Sequence, residues 1–167
     1  YEITTEETMT AYLDNSATTK PCERAAAAAN RICTEIYGNP SSLHSLGFSA
    51  SSERERARAF LSEKLLCEKK EFYFSPSGTV SNNTAIFGAV RAKKREGNKI
   101  VTSAFEHPSV MKCVDYLAEN GFEVVKLKPE NGNIPLSAIE NAVDGNTVLV
   151  SLMAVNNELG SVLPFSE

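Results

Sequence analysis

Along this chain, stretches in which apolar residues recur at helical spacing alternate with short runs in which they crowd together. The helical pattern predicts helices over residues 21–37, ended by Gly38, and 48–66, where Glu53, Arg54, Glu55 and Arg56 supply a charged face and Phe60, Leu61 and Leu65 an apolar one. Ile86 and Val90 lie on one face of a helix that starts near Gly78 and runs to Gly97; Val110, Val114 and Leu117 mark another that opens at Pro108 and closes at Gly121. Leu136, Ile139 and Val143 give a shorter one. Strands are predicted at 11–14, at Phe72-Tyr73-Phe74, and over 99–103, 122–127 and 147–152, the last a continuous apolar run suited to a sheet buried on both faces. Strand, helix, strand in succession implies parallel crossovers and an α/β fold. No internal repeat, low-complexity linker or second-domain boundary is legible.

The stretch around which the rest is organised is Phe72-Tyr73-Phe74-Ser75-Pro76-Ser77-Gly78-Thr79-Val80-Ser81-Asn82-Asn83. It reads as a strand, a tight turn and a helix start capped by Ser77 or Thr79, with free backbone N–H groups able to meet an anion. Most such turns only cap a helix. The stretch lacks the spaced glycines of a dinucleotide fingerprint and the Gly-Lys-Ser/Thr of a P-loop. Two further polar clusters follow predicted strands: Glu106-His107, and Asn156-Asn157-Glu158. His107 has a plain alternative as the cap of the Pro108 helix, and Asn156-Asn157 with Gly160 as an ordinary turn. In α/β sheets ligands bind beyond the carboxyl ends of strands, so three clusters at equivalent ends point to one crevice.

Composition sets limits. With 167 residues, 42% hydrophobic and 23% charged, the chain has the make-up of a soluble globular domain with a sizeable core. A net charge of −4 implies no general attraction to nucleic acid or to an anionic membrane. The basic cluster Arg91-Ala92-Lys93-Lys94-Arg95 suits a helix carboxyl terminus. The four cysteines, Cys22, Cys33, Cys67 and Cys113, fall in predicted helices without C-x-x-C spacing, which argues against a metal site and a disulfide framework and for a reducing compartment. No apolar run is long enough to span a bilayer and the acidic start is unlike a signal peptide, so a cytoplasmic location is expected.

Taken together, Tyr12-Leu13-Asp14-Asn15-Ser16-Ala17-Thr18-Thr19, Gly38-Asn39-Pro40-Ser41-Ser42-Leu43-His44, Ser81-Asn82-Asn83, Ser103-Ala104-Phe105-Glu106-His107 and Val155-Asn156-Asn157-Glu158-Leu159-Gly160 resemble the amino-terminal part of cysteine desulfurases, of the class V aminotransferase group. The resemblance implies pyridoxal 5′-phosphate as cofactor and a three-layer α/β/α large domain with a mixed, mostly parallel sheet, incomplete here. It places Gly78 and Thr79 at the cofactor phosphate and His107 over the pyridine ring as a proton-transfer group. Asn157 falls at the cofactor's phenolic oxygen, and Ala17 and Thr18 in a loop near the substrate. The implied reaction converts L-cysteine to L-alanine and passes sulfur to an enzyme persulfide, for delivery to an acceptor or scaffold protein in iron–sulfur or thio-cofactor synthesis. The implied assembly is a homodimer, and two readings of His44 stand: a residue approaching the neighbouring subunit's site, or a helix-linking loop histidine.

Where the family reads Thr-Ser-Gly-Ala-Thr-Glu-Ser, this chain reads Ser75-Pro76-Ser77-Gly78-Thr79-Val80-Ser81, with the glycine moved by one place and Val80 in place of glutamate. The family's cofactor-linking lysine, pyridine-binding aspartate, sulfur-accepting cysteine and substrate-binding arginine would all follow Glu167. Residues 1–167 are therefore expected to be the amino-terminal segment and part of the large domain, inactive alone. The other readings are a different class V enzyme, a selenocysteine lyase or aminotransferase, and a non-catalytic truncated paralogue that acts as a binding module.

Overall fold

The computed structural model describes residues 11–164, which fall into two compact units meeting in sequence at Phe74 and Ser75. In the first unit, the predicted strand over 11–14 is absent. That segment instead enters a turn in which Ala17 and Thr18 donate their N–H groups to the carbonyl of Asp14, and the Tyr12 hydroxyl meets Thr18 Oγ1 at 2.7 Å. Helix α1 (Glu23–Glu35) begins after Cys22, which therefore caps the helix rather than lying in it, and α2 (Ser45–Lys64) follows. Arg31 of α1 and Glu53 of α2 form an ion pair at 2.8 Å, and Glu53 also pairs with Arg56.

The breaker-rich loop between these helices is a close backbone junction. A Cβ on Gly38 would lie 2.4 Å from the carbonyl oxygen of Leu46, and one on Gly47 would lie 2.2 Å from that of Ser42, so only glycine fits either place. His44 closes the loop by capping α2: its Nδ1 accepts the Gly47 N–H at 3.3 Å. The apolar face predicted for α2 is corrected by the structure. Gly47, Ala50 and Ser62 are its buried residues, whereas Phe60 and Leu65 are exposed; the close junction buries Gly47 at the start of the helix.

The strand predicted at Phe72-Tyr73-Phe74 is also absent. A 3₁₀ turn (Lys69–Glu71) with a Glu68/Glu71 capping box leads into an extended segment that pairs with no strand. Phe72 and Phe74 stack edge to face at 5.1 Å and the Arg58 guanidinium lies 5.8 Å from the Phe74 ring centre, so the aromatic run packs on itself and on a cation. Aromatic content reports a half-buried surface, which a strand usually but not always supplies.

The second unit is the expected α/β fold. Strands β1 (Lys99–Ser103), β2 (Glu123–Leu127) and β3 (Thr147–Ser151) form a parallel sheet in the order β2-β1-β3, with Ile100 in register with Val124 on one side and Leu149 on the other. Helix α4 (Pro108–Glu119) makes the β1-to-β2 crossover and α5 (Leu136–Ala142) the β2-to-β3 crossover, which passes over the central strand. No crossover leads from residues 72–74, which form no strand, while the two expected between the later strands are present. Every residue of β1 is buried. Ile100 packs with Ile86 and Val90 of α3 (Gly78–Lys93) and with Val110, Val114 and Leu117 of α4, the residues whose spacing marked those helices. Because α3 leads back into β1, its amino terminus lies at the carboxyl edge of the sheet.

At the opposite edge the Lys99 ammonium, largely buried, meets Asp144 at 3.0 Å and Glu123 at 3.8 Å. The Lys99 hydrogen bond, aided by the Asn146 N–H, holds the Asp144 carboxyl below the usual carboxylate range. A carboxyl depressed in the folded state stabilises it above the unfolded value, about pH 4, and the contribution disappears as pH falls through the lower folded value. Asp144→Asn is therefore expected to lower the urea midpoint at neutral pH, with the difference from the unaltered protein closing as the pH falls through that lowered value. Urea titrations of both proteins across pH check this.

Candidate active site

Three loops meet at the carboxyl edge of the sheet, and hydrogen bonds join them. The first is the start of α3. Ser77 caps this helix, its hydroxyl accepting the Val80 N–H at 3.3 Å. Ser75 locks the turn: its hydroxyl donates to the Ser77 carbonyl at 3.0 Å and pairs with Ser81 Oγ at 2.5 Å, so the missing N–H of Pro76 leaves the turn intact. Among the described residues, the N–H groups of Gly78 and Thr79 and the Thr79 hydroxyl have no protein partner. A Cβ on Gly78 would meet nothing within 4 Å. The turn therefore offers unpaired donors, open space and the positive end of a 16-residue helix, a set that fits a phosphate group. It follows no strand, so two of the three clusters stand at strand ends and the third at a helix start.

The second loop carries Glu106 and His107 after β1. Glu106 is buried, and its Oε1 accepts from the Ser103 hydroxyl at 2.8 Å and from the Met153 N–H at 2.7 Å, fastening the end of β1 to the loop after β3. His107 is the amino-terminal cap of α4, as its plainer reading had it: Nδ1 accepts the Ser109 N–H at 3.1 Å. The ring is nevertheless exposed, so capping occupies one nitrogen and leaves Nε2 open.

The third loop separates the paired asparagines. Asn156 is buried; its side-chain amide donates to the Phe105 carbonyl at 3.0 Å, and Oδ1 accepts the N–H groups of Glu158 and Leu159 at 2.9 and 2.8 Å. Gly160, at φ 71°, closes the turn with its N–H on the Asn156 carbonyl at 2.8 Å. Asn157 is exposed and its amide has no protein partner among the described residues. One asparagine builds the turn and the other is presented by it.

The sequence reading missed what connects these loops. Asn82, one turn into α3, donates to Ser109 Oγ at 2.8 Å, and Ser109 Oγ lies 2.8 Å from His107 Nδ1. A hydroxyl two residues beyond a capping histidine was the available signal for Ser109; Asn82 had none, because its partner is distant in sequence. Glu106→Ala would leave the Ser103 hydroxyl and the Met153 N–H unpaired, and is expected to cost about 1–3 kcal/mol of stability in guanidinium unfolding, with Glu106→Gln costing less.

A family model described as class-V aminotransferase matches residues 11–167. The chain belongs to the class-V aminotransferase family. Among relatives of this class-V chain, a NifS/IcsS protein homolog of Lactobacillus delbrueckii subsp. bulgaricus is 42% identical over 157 residues, which are 93% of the chain and 41% of the relative. The cysteine desulfurase IscS of Methanosarcina thermophila is 35% identical over 99% of the chain and 41% of its own length. Of solved structures, a NifS-like protein superposes with a TM-score of 0.85 at 33% identity, over 90% of the chain and 42% of that structure. SspA in complex with cysteine superposes at 0.86 and 31%, over 93% and 45%. The class-V chain thus spans about two-fifths of the length of these relatives.

The remaining residues singled out from sequence lie elsewhere. Ala17, Thr18 and His44 belong to the first unit. Cys22, Cys33, Cys67 and Cys113 are free thiols; Cys67 follows α2 rather than lying in a helix, and Cys113 is buried, which pushes its thiol up. Among the described residues no group of His, Cys, Asp and Glu is placed to hold a metal ion, and no helix is long and apolar enough to cross a membrane.

Proposed function

We propose that this chain is the amino-terminal part of a pyridoxal-phosphate-dependent cysteine desulfurase. The observation that carries the reading is the joining of unpaired donors at Gly78 and Thr79, through Asn82 and Ser109, to an exposed His107 whose Nδ1 is already engaged. The cysteine desulfurase named among its relatives supports the choice of reaction. In the net reaction the Cβ–S bond of L-cysteine is replaced by a Cβ–H bond, giving L-alanine, and the sulfur joins an enzyme thiol as a persulfide. Carbon is reduced as sulfur is oxidised, so no external oxidant or reductant is required.

Pyridoxal phosphate, when bound, supplies the electron sink for bond breaking at the substrate carbons. The amides of Gly78 and Thr79 and the Thr79 hydroxyl hold its phosphate. His107 presents Nε2, its one free ring nitrogen, for moving a proton to or from bound substrate. Asn157 donates its amide to an oxygen of the bound group, from a turn that Asn156 holds rigid. The free thiols suit a reducing compartment such as the cytoplasm.

The test is incubation of the intact protein that contains this chain with L-cysteine and pyridoxal phosphate. Equal yields of alanine and enzyme persulfide are expected. Amino-group transfer without persulfide would assign a different class-V activity.

A further inference from the structure

We infer that Asn82 and Ser109 are positioning residues that keep the proton of neutral His107 on Nε2, the ring nitrogen left without a protein partner. The inference rests on the reading of His107 as a proton-transfer group and follows from the direction in which the hydrogen bonds must run. The Asn82 Nδ2 group can only donate, and it lies 2.8 Å from Ser109 Oγ. Ser109 Oγ therefore accepts from Asn82, and its own hydrogen is free for the next atom, His107 Nδ1, at 2.8 Å. The same Nδ1 accepts the Ser109 N–H at 3.1 Å. Two donors converge on one lone pair, an arrangement possible only when Nδ1 carries no proton.

Ser109 is held for this task. It is buried, and its carbonyl accepts the Cys113 thiol at 3.0 Å. Asn82 stands on α3 one turn from Thr79, so the helix that offers the anion-binding donors also sets the tautomer of the histidine. The molecule contains its own reference. His44, the other of the chain's 2 histidines, also caps a helix through Nδ1, but with the Gly47 N–H alone at 3.3 Å and no hydroxyl.

The ¹⁵N spectrum of histidine-labelled protein, at a pH where both rings are neutral and with signals assigned through His44→Gln and His107→Gln, tests the arrangement. His107 is expected to show an unprotonated Nδ1 signal upfield of that of His44, because accepted hydrogen bonds shield this nitrogen. Ser109→Ala moves the signal downfield and Ser109→Thr restores it. Asn82→Asp moves it downfield with Ser109 still present, because the carboxylate accepts the hydroxyl hydrogen and turns it away from Nδ1. A His107 proton on Nδ1, or a signal unmoved by both Ser109→Ala and Asn82→Asp, overturns the inference.

In the intact enzyme Ser109→Ala and Asn82→Asp should lower kcat for cysteine by about 10- to 100-fold, the usual cost of losing an outer hydrogen-bond partner of a working imidazole, with KM unchanged. Wild-type protein that shows the expected nitrogen spectrum but makes no alanine would overturn the desulfurase reading while upholding the assignment of Asn82 and Ser109. Unshifted nitrogen signals in an enzyme that does make alanine would do the reverse.

Discussion

If the desulfurase reading holds, replacing His107 with asparagine in the intact protein is expected to lower alanine release from cysteine by about 100- to 10,000-fold, the usual worth of a positioned general acid or base. Asparagine keeps a side-chain oxygen at the position of Nδ1, able to cap α4 at the Ser109 N–H, so the fold of the second unit should survive. What it cannot do is exchange a proton. Measuring kcat and KM separately distinguishes the outcomes: a loss confined to kcat places the histidine in the chemical step, whereas a loss in KM alone would make it a binding residue. Circular dichroism of the variant excludes unfolding as the cause.

The second large effect is expected at the start of α3. Thr79→Val removes one hydroxyl that touches nothing else in the protein, and should weaken cofactor binding by about 10- to 150-fold, corresponding to about 1.5–3 kcal/mol for a hydrogen bond to a charged group. Gly78→Pro isolates the backbone contribution. Gly78 is the first residue of the helix, where proline's missing N–H is already unpaired within the helix, and Ser77 before it has the extended backbone that precedes proline (φ −163°, ψ 161°). The variant should therefore fold while losing cofactor affinity by a similar factor. Equilibrium titrations of both proteins with pyridoxal phosphate measure it, and unchanged affinity in both would remove the phosphate from this turn.

Much of the second unit was legible because its elements are local and periodic. Ile86, Val90, Val110, Val114 and Leu117 recur at helical spacing and do form the core face of α3 and α4, and the apolar runs at β1, β2 and β3 do pair in parallel. The errors fall where a pattern has more than one physical cause. Phe72-Tyr73-Phe74 carries the composition of a strand, yet Phe72 packs on Phe74 and Phe74 on Arg58. Phe60 and Leu65 look like a core stripe, yet α2 is held by Gly47 and Ala50, whose small size allows the close junction with the loop before it.

The site divided in the same way. Gly78, Thr79, His107 and Asn157 were proposed from the resemblance together with their hydrogen-bonding chemistry, and all four lie in the second unit as exposed groups. Neither source distinguished the jobs of Asn156 and Asn157, since that depends on which amide the turn consumes. Nor did they reveal Asn82 acting on Ser109, a contact spanning 27 residues, or Glu106 on Met153, spanning 47. Such bonds exist only after the sheet has brought the loops together.

The central claim is that Gly78, Thr79 and His107 form one cofactor site at the carboxyl edge of the sheet. Backbone and histidine nitrogen spectra recorded as pyridoxal phosphate is added test it most directly. The amides of Gly78 and Thr79 and the ring of His107 should shift together along one saturable curve, with inorganic phosphate moving the two amides alone. If all three signals stay in place while the cofactor binds, the phosphate lies elsewhere and the account is wrong.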